Sequence, residues 1–288
     1  MRSWYLLLFG LCWNLGAIVH GQEMPKKIVL DAKLKEISGL IYLHPDTLLC
    51  INDSGNDPTL FYLNRMGDIL FEQSLPIENV DWEALAFNGE STVYIGDFGN
   101  NCNCRRDLKI YAWDIYQHKL DSIAFRLGDQ KDYDLSKKDK NFDLEAMIYS
   151  EGNLHLFSKN NMQKGNSFVK HYTIDSSLDS SVVEVRDSFL LKKKVVTGGS
   201  LSPLDHRLAL VSYRFKRFLG FIPISSAAFF VSEEGTVWGA KKFKKKKIVT
   251  LPFTRQWEAI TWVNEKEVLI ATEANGPFRA QIRRLKID

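Results

Sequence analysis

The sequence predicts an all-β chain folded as a single β-propeller, on two observations: short apolar segments broken by turn residues, and a five-residue signature that recurs along the chain. Segments such as Thr47 to Ile51, Thr92 to Ile95 and Val268 to Thr272 are too short for helices. They are bounded by Gly, Asn and Asp, which is the pattern of many strands joined by tight turns. Asn88-Gly89, Glu151-Gly152 and Glu234-Gly235 read as hairpin turns.

The signature is typified by Asp81-Trp82-Glu83-Ala84-Leu85. Its other copies are Glu36-Ile37-Ser38-Gly39-Leu40, Asp143-Leu144-Glu145-Ala146-Met147, Thr197-Gly198-Gly199-Ser200-Leu201 and Gln256-Trp257-Glu258-Ala259-Ile260, at steps of 45, 62, 54 and 59 residues. Each copy opens a strand, a hairpin and a second strand. The second strand ends 16 or 17 positions after the motif start, at Asp53, Asp97, Lys159, Tyr213 and Glu273. A repeat of this length carrying about four strands is a propeller blade. The predicted fold therefore has five blades, or six if the 62-residue step or the degenerate fourth copy hides another unit. The last copy has room for three strands, so residues Lys26 to Asp31 are expected to supply the fourth and close the ring.

Residues 1–21 read as a signal peptide, with Arg2 ahead of an apolar run and Val19-His20-Gly21 as a cleavage site. A retained anchor is the competing reading. The expectation is a secreted, periplasmic or cell-envelope protein whose residues 22–288 form the propeller, with no transmembrane segment after cleavage. The apolar stretch from Phe218 to Val231 is too short to span a bilayer and is assigned to blade four. A formal charge of +3 does not argue for nucleic acid, and a monomer is expected. The lysines of 241–247 and Lys192 to Lys194 read as solvated outer-strand positions. Cys50, Cys102 and Cys104 remain after cleavage, and an exporting environment allows a bridge from Cys50 to Cys102 or Cys104. Cys102-Asn103-Cys104 lacks zinc-knuckle spacing, and His44, His118, His155, His171 and His206 show no ligand-like pairing.

Strands in a blade are antiparallel, so motif starts and second-strand ends share one end of the central channel. Glu36, Asp81, Glu83, Asp143, Glu145 and Glu258 are thereby expected to meet Asp53, Asp97 and Glu273 there, with Lys159 among them and Trp82, Leu144 and Trp257 packed between blades. Two roles stand for these acids. They can cap the corner loops through backbone amides, or they can hold a cation. Calcium takes oxygen donors of this kind, with Asn52 and Asn100 adding to the supply. Asn52-Asp53-Ser54 also matches a glycosylation sequon, but Asn52 is read as a structural or ligand residue. The metal-ligand candidates are Glu83, Glu145, Glu258, Asp53 and Asp97. No serine-hydrolase elbow, zinc-protease helix, phosphate loop or dinucleotide fingerprint is present, so no nucleotide or organic cofactor is expected. The expected function is a binding or scaffold module for a small molecule or extracellular ligand. The alternative is a metal-dependent hydrolase of an ester, lactone or phosphoester, with Glu83 and Glu145 moving the proton.

The segments Glu36-Ile-Ser-Gly-Leu, Asn52-Asp-Ser-Gly-Asn, Asp81-Trp-Glu-Ala-Leu-Ala and Tyr94-Ile-Gly-Asp-Phe-Gly-Asn-Asn resemble a family of secreted, uncharacterised bacterial propellers. More distantly they are similar to the SdiA-regulated and esterase-like phytase propellers. The resemblance implies the propeller fold, and through calcium-dependent phytases and lactonases it brings in calcium and hydrolysis. The phosphate-binding motifs of a true phytase and the histidine pair of paraoxonase-like lactonases are not evident here.

Overall fold

The computed structural model describes residues 23–43, 46–136, 139–160, 168–191, 194–218, 222–232, 243–252 and 256–287. Residues 1–21, read from the sequence as a signal peptide, the expected turn at Glu234-Gly235, His44 and Lys192, Lys193, Lys241 and Lys242 lie outside them. Within these residues the chain forms five sheets, one per blade, antiparallel except for one added edge strand in blade two. The five first strands are Ile37–Leu43, Trp82–Phe87, Leu144–Ser150, Val195–Leu201 and Trp257–Asn264. Each touches the first strand of the next blade, and the last touches the first, so together they encircle one axis.

The second strands are Thr47–Asn52, Thr92–Asp97, Asn153–Ser158, Leu208–Phe218 and Glu267–Thr272. Third and fourth strands extend each sheet outward, and in blade four Phe243–Pro252, which holds Lys244 to Lys247, is the outermost. The described part of the stretch from Phe218 to Val231, Phe218 and Ile222 to Val231, falls in blade four as expected, on the second and third strands. Blade five takes its outer strand from the N-terminal side: Lys27–Val29 pairs antiparallel with Gln281–Lys286, with Ile28 opposite Ile282. Closure of this kind joins the two ends of the ring and covers an otherwise open edge.

No sixth blade is present among the described residues. The 62-residue step is taken up by the long outer strand Lys119–Leu127 and the connection that follows it. Blade two also gains a fifth strand, Ser180–Val183, which comes from the blade-three segment and pairs in parallel with Lys119–Leu127.

Each gap between neighbouring blades holds its own apolar core. Trp82, fully buried, joins Leu49, Ile51 and Leu60 of blade one to Val93 and Ile95 of blade two. Leu144 does the same between blades two and three, and Trp257 between blades four and five. Strand alternation sends successive side chains of a first strand into the two opposite gaps. Burying an aromatic or Leu/Ile side chain contributes about 1.5–3 kcal/mol, so the ring is held mainly from between its blades.

Candidate functional site

The pairing of first and second strands shifts at the same place in all five blades. The register breaks between Ile37 and Gly39, Trp82 and Ala84, Leu144 and Ala146, Val196 and Gly198, and Trp257 and Ala259. The residue skipped by each bulge is Ser38, Glu83, Glu145, Thr197 or Glu258, and all five are buried. A bulge leaves one residue out of the ladder and re-aims its side chain. Here it turns the third residue of the signature out of the alternation, so three glutamates, a serine and a threonine form the innermost ring.

The corner after the second strand adds a further layer. The N–H groups of Asp53, Lys159 and Glu273 donate to the carbonyls of Glu36, Asp143 and Gln256, the residues that open the signature. In blade two the group donating to the Asp81 carbonyl is Gly99. Gly99 therefore stands where the other blades place Asp53, Lys159 and Glu273. Asp97, expected beside them, is instead the ladder partner of Trp82. Its Oδ1 accepts the Asp81 N–H at 3.1 Å and pairs with Arg105 at 3.1 Å. A one-residue offset sends a strand side chain to the other face, and Phe98 provides that offset. Blade four needs a similar adjustment, because Thr197 occupies the third signature position and not the first.

Gly99 makes room for the carboxylates. A Cβ there would lie 2.4 Å from Oε1 of Glu83 and 2.5 Å from Oδ2 of Asp81. Carboxylate oxygens of Asp53, Asp81 and Glu83 lie within 4.8 Å of one another, and so do those of Glu83, Asp143 and Glu145. Glu83 is the shared member. Lys159 Nζ sits 2.5 Å from Glu145 Oε1 and is the cation built into the second group. Burial alone would lower the Lys159 pKa, but Glu145, Tyr213, Asp143 and Glu258 around it raise it well above the usual lysine range.

The carboxyls show the opposite strain. Burial first, then Glu145 and Asp53, push Glu83 well up, and burial with Asp143 and Glu258 does the same to Glu145 against the pull of Lys159. Asp143 is raised by burial although Lys159 and the Asn100 N–H, which it accepts at 2.7 Å, oppose this. Glu258 is pushed up to about 8, chiefly by burial and then by Glu273, Asp53 and Asp143. Its Oε2 is buried and accepts no hydrogen bond from the described residues. Burial and neighbouring acids raise Glu273 to about 7 and Asp53 to about 6. Gln256 donates to Glu273 at 2.8 Å, and Tyr213 reaches Gln256 at 3.3 Å.

The remaining candidates lie on the margin. Glu36 accepts from Asn56 at 2.8 Å and is 3.4 Å from Lys35. Asn52 is buried, and its amide donates to the Lys33 carbonyl at 2.6 Å while its Oδ1 has no partner among the described residues. Asn100 is committed to the corner, where its Oδ1 accepts the N–H groups of Cys104 and Arg105 at 2.9 Å each. It offers the acidic ring its backbone N–H and not a free oxygen.

Two pairings fall outside the sequence reading. The disulfide joins Cys102 to Cys104, and Cys50 is a free, buried thiol in the gap between blades five and one. His155 and His171 meet across adjacent strands of blade three, Nδ1 to Nε2 at 3.0 Å, with Asp187 on the far nitrogen of His171 at 2.9 Å. Their sequence separation of 16 residues gives no hint of this, because hairpin register places them.

The opposite mouth of the channel is different in character. The far ends of the first strands form a cavity of about 350 Å³ lined by Tyr42, Phe87, Tyr149, Leu201 and Trp262, with Glu151 and His206 at its edge. Charge is thus concentrated at one mouth and aromatic surface at the other. Among the described residues no helix is long and apolar enough to cross a membrane.

No family model and no curated protein matches the chain. Among solved structures, it is similar to a streptogramin B lyase at 11% identity and a TM-score of 0.43, covering 91% of this chain and 87% of that one. The virginiamycin B lyase of Staphylococcus aureus gives 11% identity and a TM-score of 0.40, with 91% and 88% covered. The hydrazine synthase of Kuenenia stuttgartiensis gives 13% and 0.40 over 88% of this chain, which spans only 58% of that longer one. At these scores the likeness adds nothing to the fold, which the five closed sheets already define.

Proposed function

We propose that the acidic mouth is a binding site for a divalent cation of the calcium class, and that the protein is an exported binding module presenting that ion to a ligand. The observation that carries the reading is the Asp53–Asp81–Glu83 cluster, whose oxygens approach within 4.8 Å of one another beside the space left by Gly99. Lys159 is engaged by Glu145 and Arg105 by Asp97, so the two cations nearest the ring are already in use. Carboxylates crowded together repel one another, and a bound cation relieves that repulsion. Calcium accepts six to eight oxygens at about 2.3–2.6 Å with loose geometry, which suits acids supplied from two blades. The unpartnered oxygens of Glu258 and Asn52 add support, since a buried polar atom without a partner is costly.

Calcium added to chelator-treated full-length protein is expected to raise the melting temperature. At a hundredfold excess over Kd the gain is about 2.7 kcal/mol. Asp81→Asn and Glu83→Gln should each abolish most of that rise. No shift with millimolar calcium, together with no metal in the purified protein, would remove the proposal.

A hydrolase at the same mouth is the second reading, favoured by Glu83, whose burial and acidic neighbours push its pKa well up and favour a proton-holding carboxyl beside the other acids. Glu145 is less suited, being held by Lys159. Calcium-dependent turnover of an ester, lactone or phosphoester that is lost in Glu83→Gln would favour this reading over simple binding.

A further inference from the structure

We propose that the Cys102–Cys104 bridge is a thiol–disulfide exchange site, opened and reclosed by low-molecular-weight thiols while the propeller stays folded. The bridge closes a loop with one residue between the cysteines. Cross-linking stabilises by restricting the unfolded chain, and the restriction grows with loop length, so a bridge this short contributes little to the fold. Both cysteines are exposed, which gives an incoming thiolate access.

The loop is fastened by contacts that do not involve the bridge. Asn103 is buried and holds a positive φ of 55° between the two exposed sulfurs. Its amide donates to the Asn100 carbonyl at 2.9 Å, and its Oδ1 accepts the Phe142 N–H at 2.7 Å. Its carbonyl accepts from Gln130 at 2.8 Å. Asn100 Oδ1 in turn holds the N–H groups of Cys104 and Arg105. The two thiols are therefore kept side by side after reduction and are poised to re-form the bond.

The geometry also gives the exchange a direction. The Cys104 N–H lies 3.1 Å from Cys102 Sγ and would stabilise negative charge on that sulfur. Cys102 is then the leaving group: the thiolate of a small thiol attacks Cys104 Sγ, a mixed disulfide forms there, and Cys102 departs as a thiolate. A second thiolate attacks the small-molecule sulfur of the mixed disulfide, releasing Cys104 and a disulfide of the two small thiols. Two electrons pass from two small thiols to one protein disulfide, and the two protons go to the protein thiols.

Intact-mass measurement after equilibration in stepped ratios of reduced to oxidised glutathione, quenched with N-ethylmaleimide, tests this directly. Two maleimides are expected on the peptide containing Cys102 and Cys104, none on Cys50, with the thermal transition retained and the bridge restored on return to oxidised glutathione. A bridge that stays closed at every ratio, or that opens only as the protein melts, overturns the proposal. Under limiting glutathione the mixed disulfide is expected on Cys104; finding it on Cys102 overturns the assigned direction. In Asn103→Ala the return to the closed form should slow severalfold, and an unchanged rate would remove the fastened loop from the argument.

Discussion

Lys159 decides how charge is divided in the ring. It lies 2.5 Å from Glu145, whose side chain is buried while that of Lys159 is partly exposed, so the pair is costly to break mainly where the glutamate is left behind. Removing one member of such a pair costs about 3–5 kcal/mol because the other is left buried and uncompensated. Lys159→Met is therefore expected to destabilise the protein by up to that order, and by less as pH falls and Glu145 takes up a proton instead. Chemical denaturation across a pH series checks this. The same variant should bind calcium more tightly, because Glu145 and Asp143 then join Glu83 as free donors. Equal or weaker binding on calorimetric titration would show that Lys159 is not the ring's internal cation. The identity of this residue was legible in the sequence, since Lys159 occupies the slot that carries acids in blades one and five. What it touches was not, because the contact depends on side chains from two other strands.

At the scale of the strand and its corner, the recurring bulge explains both what the sequence revealed and what it concealed. The spacing of 16 or 17 residues located the five hairpins and the common end of the channel. It also suggested that Asp97 matches Asp53, Lys159 and Glu273, whereas the hydrogen bonds match Gly99 to them. Counting residues cannot register an inserted Phe98, and bulges are defined by backbone pairing that composition does not record. Gly99→Ala tests the corrected alignment. Its Cβ would crowd Glu83 and Asp81 at 2.4–2.5 Å, so a loss of about 1–3 kcal/mol is expected, together with weakened calcium binding. An alanine at Gly89 serves as the contrast, since its Cβ would meet nothing within 4 Å, although its φ of 84° carries backbone strain. A fall in calcium affinity in Gly99→Ala but not in Gly89→Ala would separate site geometry from stability. Trp82→Ala belongs to this scale as well. It empties a fully buried site between blades one and two and should cost about 3–5 kcal/mol in denaturant unfolding.

For the whole molecule, four of the five blades place acids at one mouth, and this couples stability to pH. Asp53, Glu273 and Glu258 have folded values near 6, 7 and 8, all above the ordinary values of 3.8 to 4.5. Between its ordinary and folded values each group holds more proton in the native state than in the unfolded state, so stability falls as pH rises. The stabilisation is complete below about pH 4 and is lost progressively through pH 6, 7 and 8. His155 acts in the other direction. Burial and His171 lower its folded value to about 3, so it favours the fold above pH 6.5 and withdraws that support as pH falls. Above pH 6.5 the carboxyls act without this opposition from His155, and the cation-free protein is expected to lose melting temperature steadily toward pH 8.5. Each kcal/mol corresponds to about 2–4 °C for a chain of this size. Calcium competes with the protons that the ring gives up, so its stabilising shift should be larger at pH 8 than at pH 5.5. Glu258→Gln should flatten the descent above pH 7, since the group titrating highest of the three is gone. A calcium shift that is equal at the two pH values would mean that the ion binds away from these carboxyls, whereas a steeper response in wild type than in Glu258→Gln would tie the ion to the ring.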